Sequence, residues 1–183
     1  ATAAITTTGT GSIGLTATQK ILLRPTVALS TVNGGITLSG NSAATGSGEF
    51  TGVDLVGALV STSGSGAISI TGQGGTDVNS KGVHIRSSSQ LTSSLAAGGG
   101  TITINGTSRS MGTLDFGVAV ENTSLIDSKS GAISITGNGG PGASNHGLFV
   151  AGGSDITSSD GSGAATITIN ATGGSGGTSG GIV

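Results

Sequence analysis

The chain of 183 residues has no cysteine, tryptophan or tyrosine, and only three phenylalanines, two prolines and one methionine. The missing cysteine excludes disulfides and thiolate metal ligands. It does not fix the compartment, since a protein with another source of rigidity needs no covalent staple. The scarcity of aromatics excludes a core filled by large rings. Charge is scarce too: six Lys plus Arg stand against eight Asp plus Glu, a net charge of −2. Nucleic-acid binding needs a basic stripe to neutralise phosphates, and none is present. No apolar run reaches the length of a membrane-spanning helix. No signal peptide opens the chain and residue 1 is Ala, so a mature or excised fragment is expected.

What is abundant is glycine (38 residues), with 28 serines and 27 threonines. Such a composition can mean disorder. The placement of the β-branched residues argues otherwise. One phrase recurs: Gly-Ile-Thr-Leu-Ser at 35–39, Ala-Ile-Ser-Ile-Thr at 67–71 and 132–136, and Thr-Ile-Thr-Ile-Asn at 101–105 and 166–170. Its anchors, Ile36, Ile68, Ile102, Ile133 and Ile167, are 32, 34, 31 and 34 residues apart. A fixed period of this size marks a repeat architecture. Alternation within the phrase marks a strand.

Two companion segments keep the same step. Glycines 52, 82, 117, 147 and 181 each open a short apolar strand, at offsets of 16, 14, 15, 14 and 14 from the anchors. A third strand centres on Val60, Leu91, Ile126 and Ile156, at offsets of 24, 23, 24 and 23. Gly-rich corners join the strands, and the extra length falls at 40–51 and 92–100. The pattern predicts a single all-β domain, a parallel β-helix of five to six coils with three strands per coil of about 33 residues. Right-handed coiling follows the general preference of parallel crossovers. The coils are read as 1–34 (irregular), 35–66, 67–100, 101–131, 132–165 and a partial 166–183. In the first of them Ile5 stands as first strand, Ile21-Leu22-Leu23 as second and Ala28-Leu29 as third. A β-sandwich of hairpins fits less well, because hairpins do not return one phrase every three strands.

Gly131-Ala132-Ile133-Ser134-Ile135-Thr136-Gly137-Asn138-Gly139-Gly140, then Gly147-Leu148-Phe149-Val150, then Ser154-Asp155-Ile156-Thr157-Ser158, resembles the repeat region of filamentous-haemagglutinin-like bacterial exoproteins. The likeness runs from about Ile36 onward. The Asn-Pro-Asn motif of the amino-terminal secretion domain of two-partner-secreted members is missing, so the resemblance is to the shaft. It implies export to the cell surface or extracellular matrix and a non-enzymatic rod that adheres or builds fibres.

Candidate chemistry is thin. Gly9-Thr10-Gly11-Ser12-Ile13-Gly14 fits a dinucleotide fingerprint, but no helical pattern follows it. Gly74-Gly75-Thr76-Asp77 fits one step of a calcium repeat that does not recur at nine residues. Asn105, Asn122 and Asn170 open glycosylation tripeptides, which arise readily where Ser and Thr are dense. The acids Glu49, Asp54, Asp77, Asp115, Glu121, Asp127, Asp155 and Asp160 spread over all coils. Lyases and hydrolases need them clustered, so no catalytic, cofactor or metal set is assigned. Asp54 and His84 share an outward slot on consecutive coils and can pair. Asp127 and Asp155 can stack on the third strand, and His146 is expected in an exposed turn.

Two surfaces remain. The outward file Thr37, Ser69, Thr103, Ser134 and Thr168, with Thr71 and Thr136 beside it, could bind glycans or ice, or be a solvated ladder. Phe149 points outward where Asp54, His84 and Ala119 stand in other coils. It marks a lateral contact or is covered by its own loop, 137–146. The chain stops in the second strand of a rung, which points to continuation or to self-association, end-to-end or lateral.

Overall fold

The computed structural model describes residues 3–94, 98–159 and 165–183, and these contain strands and turns but no helix. Asp160 and the turn 161–163 lie outside the described residues, as do residues 95–97 of the stretched corner. Seventeen strands form three wholly parallel sheets. The recurrent phrase builds the first sheet: β2 (Ile13–Ala17), β5 (Ile36–Gly40), β8 (Ile68–Gln73), β11 (Ile102–Thr107), β14 (Ile133–Asn138) and β17 (Ile167–Thr172). The second sheet comprises β3 (Ile21–Leu23), β6 (Val53–Val56), β9 (Val83–Arg86), β12 (Val118–Val120) and β15 (Leu148–Val150). The third comprises β1 (Ala3–Thr6), β4 (Val27–Thr31), β7 (Leu59–Thr62), β10 (Gln90–Ser93), β13 (Leu125–Ser128) and β16 (Asp155–Thr157). The architecture is the expected β-solenoid. Each sheet visit of one coil pairs with the same visit in the next.

Register is unbroken along the first sheet. Ile36 faces Ile68, which faces Ile102, then Ile133, then Ile167. Period-two alternation sends Ile36, Ile68, Ile102 and Ile133, and their neighbours Leu38, Ile70, Ile104 and Ile135, into a fully buried interior, while Ile167 in the last coil is 38% exposed. Val53, Leu55, Val83 and Ile85 from the second sheet and Leu29, Val60, Leu91 and Ile126 from the third close the core. Each such side chain contributes roughly 1.5–3 kcal/mol on burial, so a core without aromatics suffices.

The first coil departs from expectation. Ile5 pairs with Leu29 in the third sheet, whereas Ile13 pairs with Ile36 and begins the first-sheet ladder. Residues Ile21–Leu23 and Ala28-Leu29 do form second and third strands. The cause is a missing excursion. Later coils insert a long loop between first and second strand, and here only residues 18–20 intervene. The coil is therefore short, and a 31-residue step back from Ile36 lands in the wrong sheet. Asp127 and Asp155 are likewise out of step: Asp155 faces Leu125, and Asp127 faces Thr157.

The glycines now have a reason. Gly40, Gly72, Gly106 and Gly137 form an inward file at the end of the first-sheet strands. A Cβ on each would collide with the carbonyl oxygen of Gly52, Gly82, Gly117 or Gly147, respectively. The two backbones touch at this neck, and the intervening residues are squeezed out as a lateral loop. A second file, Gly34, Gly66, Gly100 and Gly131, stacks at the corner between third and first sheets. There a Cβ would strike the glycine carbonyl of the preceding coil.

Buried hydroxyls line that same corner. Thr31, Thr62, Ser93 and Ser128 are in register and buried. Thr31 Oγ1 donates to Gly34 O at 2.5 Å and Ser128 Oγ donates to Gly131 O. Thr62 Oγ1 and Ser93 Oγ have no partner among the described residues.

Two glycine substitutions separate these effects. Gly106→Ala drives a methyl into the Gly117 carbonyl and is expected to cost about 1–3 kcal/mol or more. Gly14→Ala, in a strand with open space around its Cβ, is expected to be neutral or to gain up to about 1 kcal/mol. Urea titration followed by circular dichroism checks both, and equal midpoints for the two variants would contradict the neck.

Candidate functional site

The hydroxyl-rich face falls in the expected register. Gly14, Thr37, Ser69, Thr103, Ser134 and Thr168 form one file, and Thr16, Ser39, Thr71, Asn105, Thr136 and Asn170 the next. Thr37 and Thr168 are exposed; Ser69, Thr71, Thr103, Ser134 and Thr136 are half-buried. A third file not foreseen from the sequence runs beside them: Gln73, Thr107, Asn138 and Thr172. Strands β8, β11 and β14 extend two residues past the phrase, through the neck glycine, which the sequence presents as the start of a turn. Asn138 Nδ2 donates to Thr107 Oγ1 at 3.4 Å, so this file stitches neighbouring coils.

The denser chemistry lies on the outer face of the second sheet. Asp54, His84, Ala119 and Phe149 occupy one file in register. His84 Nδ1 lies 3.9 Å from Asp54 Oδ1, and its Nε2 is hydrogen-bonded to Glu121 Oε2. Arg86, in the neighbouring outward file, forks onto Asp54, with Nε and Nη2 each donating at 3.0 Å to separate oxygens. A bidentate pair of this kind is among the stronger ionic contacts. The acids do not stay dispersed: Asp54 and Glu121, from different coils, meet around one histidine.

Burial pushes the pKa of His84 below its ordinary value of 6.5. The Glu121 and Asp54 carboxylates pull the other way, while the Lys81 ammonium assists burial. Desolvation of the imidazolium outweighs its two acidic neighbours. The neutral ring then donates from Nε2 to Glu121. The hydrogen bond from Arg86 to Asp54 raises the guanidinium pKa further above its usual range.

Next to this cluster stands an aromatic group. Phe149 stacks on Phe116, with centroids 4.6 Å apart and planes 18° from parallel. Phe116 also stacks on His146 at 5.5 Å, and Lys81 Nζ sits 5.4 Å above the Phe116 ring. Phe149 therefore meets both the loop of the preceding coil, through Phe116, and its own loop, through His146. His146 is half-buried rather than exposed, and its Nδ1 accepts the Gly180 N–H at 2.9 Å. Packing against the two rings explains the difference. Ala119, between His84 and Phe149, is fully covered. Phe116 could not be placed from the sequence, because it belongs to an excursion loop and obeys no strand period.

Two glycine motifs fall within the coils. Gly14 lies in β2 with no helix after it. Asp77 accepts a hydrogen bond from Thr76 Oγ1 at 3.3 Å within its turn. Among the described residues no group of three or more His, Cys, Asp or Glu could hold a metal ion, and no helix is long and apolar enough to cross a membrane. No family model, curated protein or solved structure matches the chain.

The depressed histidine sets a sign for pH dependence. Between the folded and unfolded pKa values the unfolded state binds more protons, so stability rises with pH there. The contribution is complete above about 6.5 and is lost as pH falls from 6.5 through the lower folded value. Thermal melts from pH 7.5 to 4.5 are expected to show this loss, and His84→Gln is expected to flatten it over that window. An unchanged profile in the variant would assign the loss to other groups.

Proposed function

We propose that the chain is a length of shaft from a secreted cell-surface or extracellular-matrix protein, structural and adhesive rather than catalytic, and able to self-associate. The observation that carries the reading is the uninterrupted parallel register from β2 to β17. Each coil adds the same inward residues and the same backbone ladder, so each contacts only its neighbours and length can grow without redesigning the core. Polar side chains serve this stacking. Arg86 to Asp54 and His84 to Glu121 each join one coil to the next. The likeness of the repeat phrases to adhesin shafts supports an extracellular address.

A second reading takes the first-sheet face as a binding surface for glycans or ice. Three registered files of polar side chains favour it. Gly14 in the first file, Asn105 and Asn170 in the second, and Gln73 and Asn138 in the third depart from the uniform threonine that lattice matching to ice would use.

An antibody against the chain, applied to intact source cells before and after external protease, tests the address. The expected result is antigen in the medium or on the surface that protease removes. Antigen revealed only by lysis would overturn the reading.

A further inference from the structure

A cavity of about 370 Å³ opens on the outer face of the second sheet. It is lined by Phe149 and Phe116, by Asn79 and Lys81 from the excursion of one coil, by Thr113 and Leu114 from the next, and by Glu121. We propose that this cavity binds one or two sugar rings of a neutral polysaccharide. The inference is independent of the shaft reading and of the hydroxyl-rich face.

Three observations select the ligand. The first is shape. Phe116 and Phe149 are stacked nearly parallel, and Phe149 remains half-exposed on a strand that cannot shift without breaking register. A rigid, part-exposed ring offers an apolar platform to the C–H face of a pyranose. The size lies within the ordinary range of small-ligand sites.

The second is charge. Lys81 and Glu121 line the same cavity, one of each sign. Lys81 has no carboxylate within ion-pair distance among the described residues, and Glu121 is hydrogen-bonded to a histidine that burial keeps largely neutral. A ligand of either net charge meets one like charge. Hydroxyl groups satisfy both, donating to Glu121 and accepting from Lys81.

The third is donor variety. Asn79 supplies an amide and Thr113 a hydroxyl, both exposed. Asn79 is turned partly toward Glu49, to which its Nδ2 donates at 3.3 Å, and its carbonyl oxygen is left as an acceptor. A ring with donors and acceptors around its edge and an apolar face is matched by an aromatic floor with polar walls. A fatty chain leaves the walls unpaired. The excursion loops supply Asn79, Lys81, Thr113, Leu114 and Phe116, so the site is added at the corner without altering the coil.

The test is calorimetric titration of the whole chain with neutral tetrasaccharides of gluco, manno and galacto configuration, and with tetragalacturonate as the charged comparison. Saturable binding of at least one neutral probe is expected, with tetragalacturonate weaker. Phe149→Ala is expected to weaken binding about 10-fold, the scale of one aromatic stacking contact. Should Phe149→Ala unfold, Lys81→Gln, at a half-buried side chain that joins no ion pair among the described residues, and Thr113→Val, at an exposed one, are each expected to weaken binding several-fold, with folding checked by thermal melts. Absence of saturable binding by every neutral probe up to about 10 mM, a weak-site limit, would overturn the proposal. Tighter binding of tetragalacturonate, or unchanged affinity in all folded variants, would overturn it as well.

Discussion

The structure depends on how closely two backbones can approach at the neck of each coil. Parallel strands stack at about 4.8 Å, and the turn from first to second sheet must fit inside that repeat. The carbonyls of Gly52, Gly82, Gly117 and Gly147 occupy the space where a Cβ on Gly40, Gly72, Gly106 or Gly137 would go. A side chain at these four positions would push the neck open, whereas the two end slots of the same file hold alanine, Ala17 and Ala171. The glycine content that could have signalled disorder is therefore a steric requirement. The entropic penalty that glycine brings to folding is offset by ladders of fully buried Ile, Leu and Val.

The neck also decides where variation is tolerated. Once Gly72 and Gly82 touch, the residues between them are free to lengthen without strain on the core. The loops before the second strand differ in length, while inward residues hold register. The first coil has no such loop and is short, which is why Ile5 belongs to the third sheet. The excursions between first and second sheets accumulate on one edge of the solenoid, beside the outer face of the second sheet. That edge carries Lys81, Phe116 and His146.

The repeating part of this arrangement was legible in the sequence. Period-two alternation and constant offsets place the Ile68, Val83 and Leu91 ladders without further information, because each coil imposes the same steric demand on the next. Two kinds of feature were not legible. The strand past Thr71 continues through Gly72 to Gln73, and a glycine followed by further glycines reads as a turn until its contact with Gly82 is known. The Arg86–Asp54 and His84–Glu121 contacts join residues 32 and 37 apart. Only the first matches a coil step. The second depends on Glu121 lying just past β12, with its N–H on the Ile85 carbonyl. Aligned outward slots suggested that Asp54 meets His84, yet the closer partner of each is a residue one file over.

Charge on the solenoid is thus both sparse and gathered, and the two facts have one cause. An isolated ion on a half-buried ladder is poorly solvated, and its neighbours above and below are fixed by register. It persists where the adjacent coils supply a counter-charge within reach. Asp54 has Arg86, Asp127 has Lys129, and Glu121 accepts from the neutral His84 ring; many other outward positions carry hydroxyls, whose donor and acceptor capacity pairs with what the next coil offers, as between Ser30 and Ser61 at 3.2 Å. A solenoid built in this way concentrates ionisable chemistry where an excursion loop can shield and complement it. The same loops wall the cavity over Phe149. Coil stacking and the proposed ligand site therefore meet on one edge: Phe149 comes from a strand, Phe116 and the other loop residues come from the excursions, and Glu121 serves both.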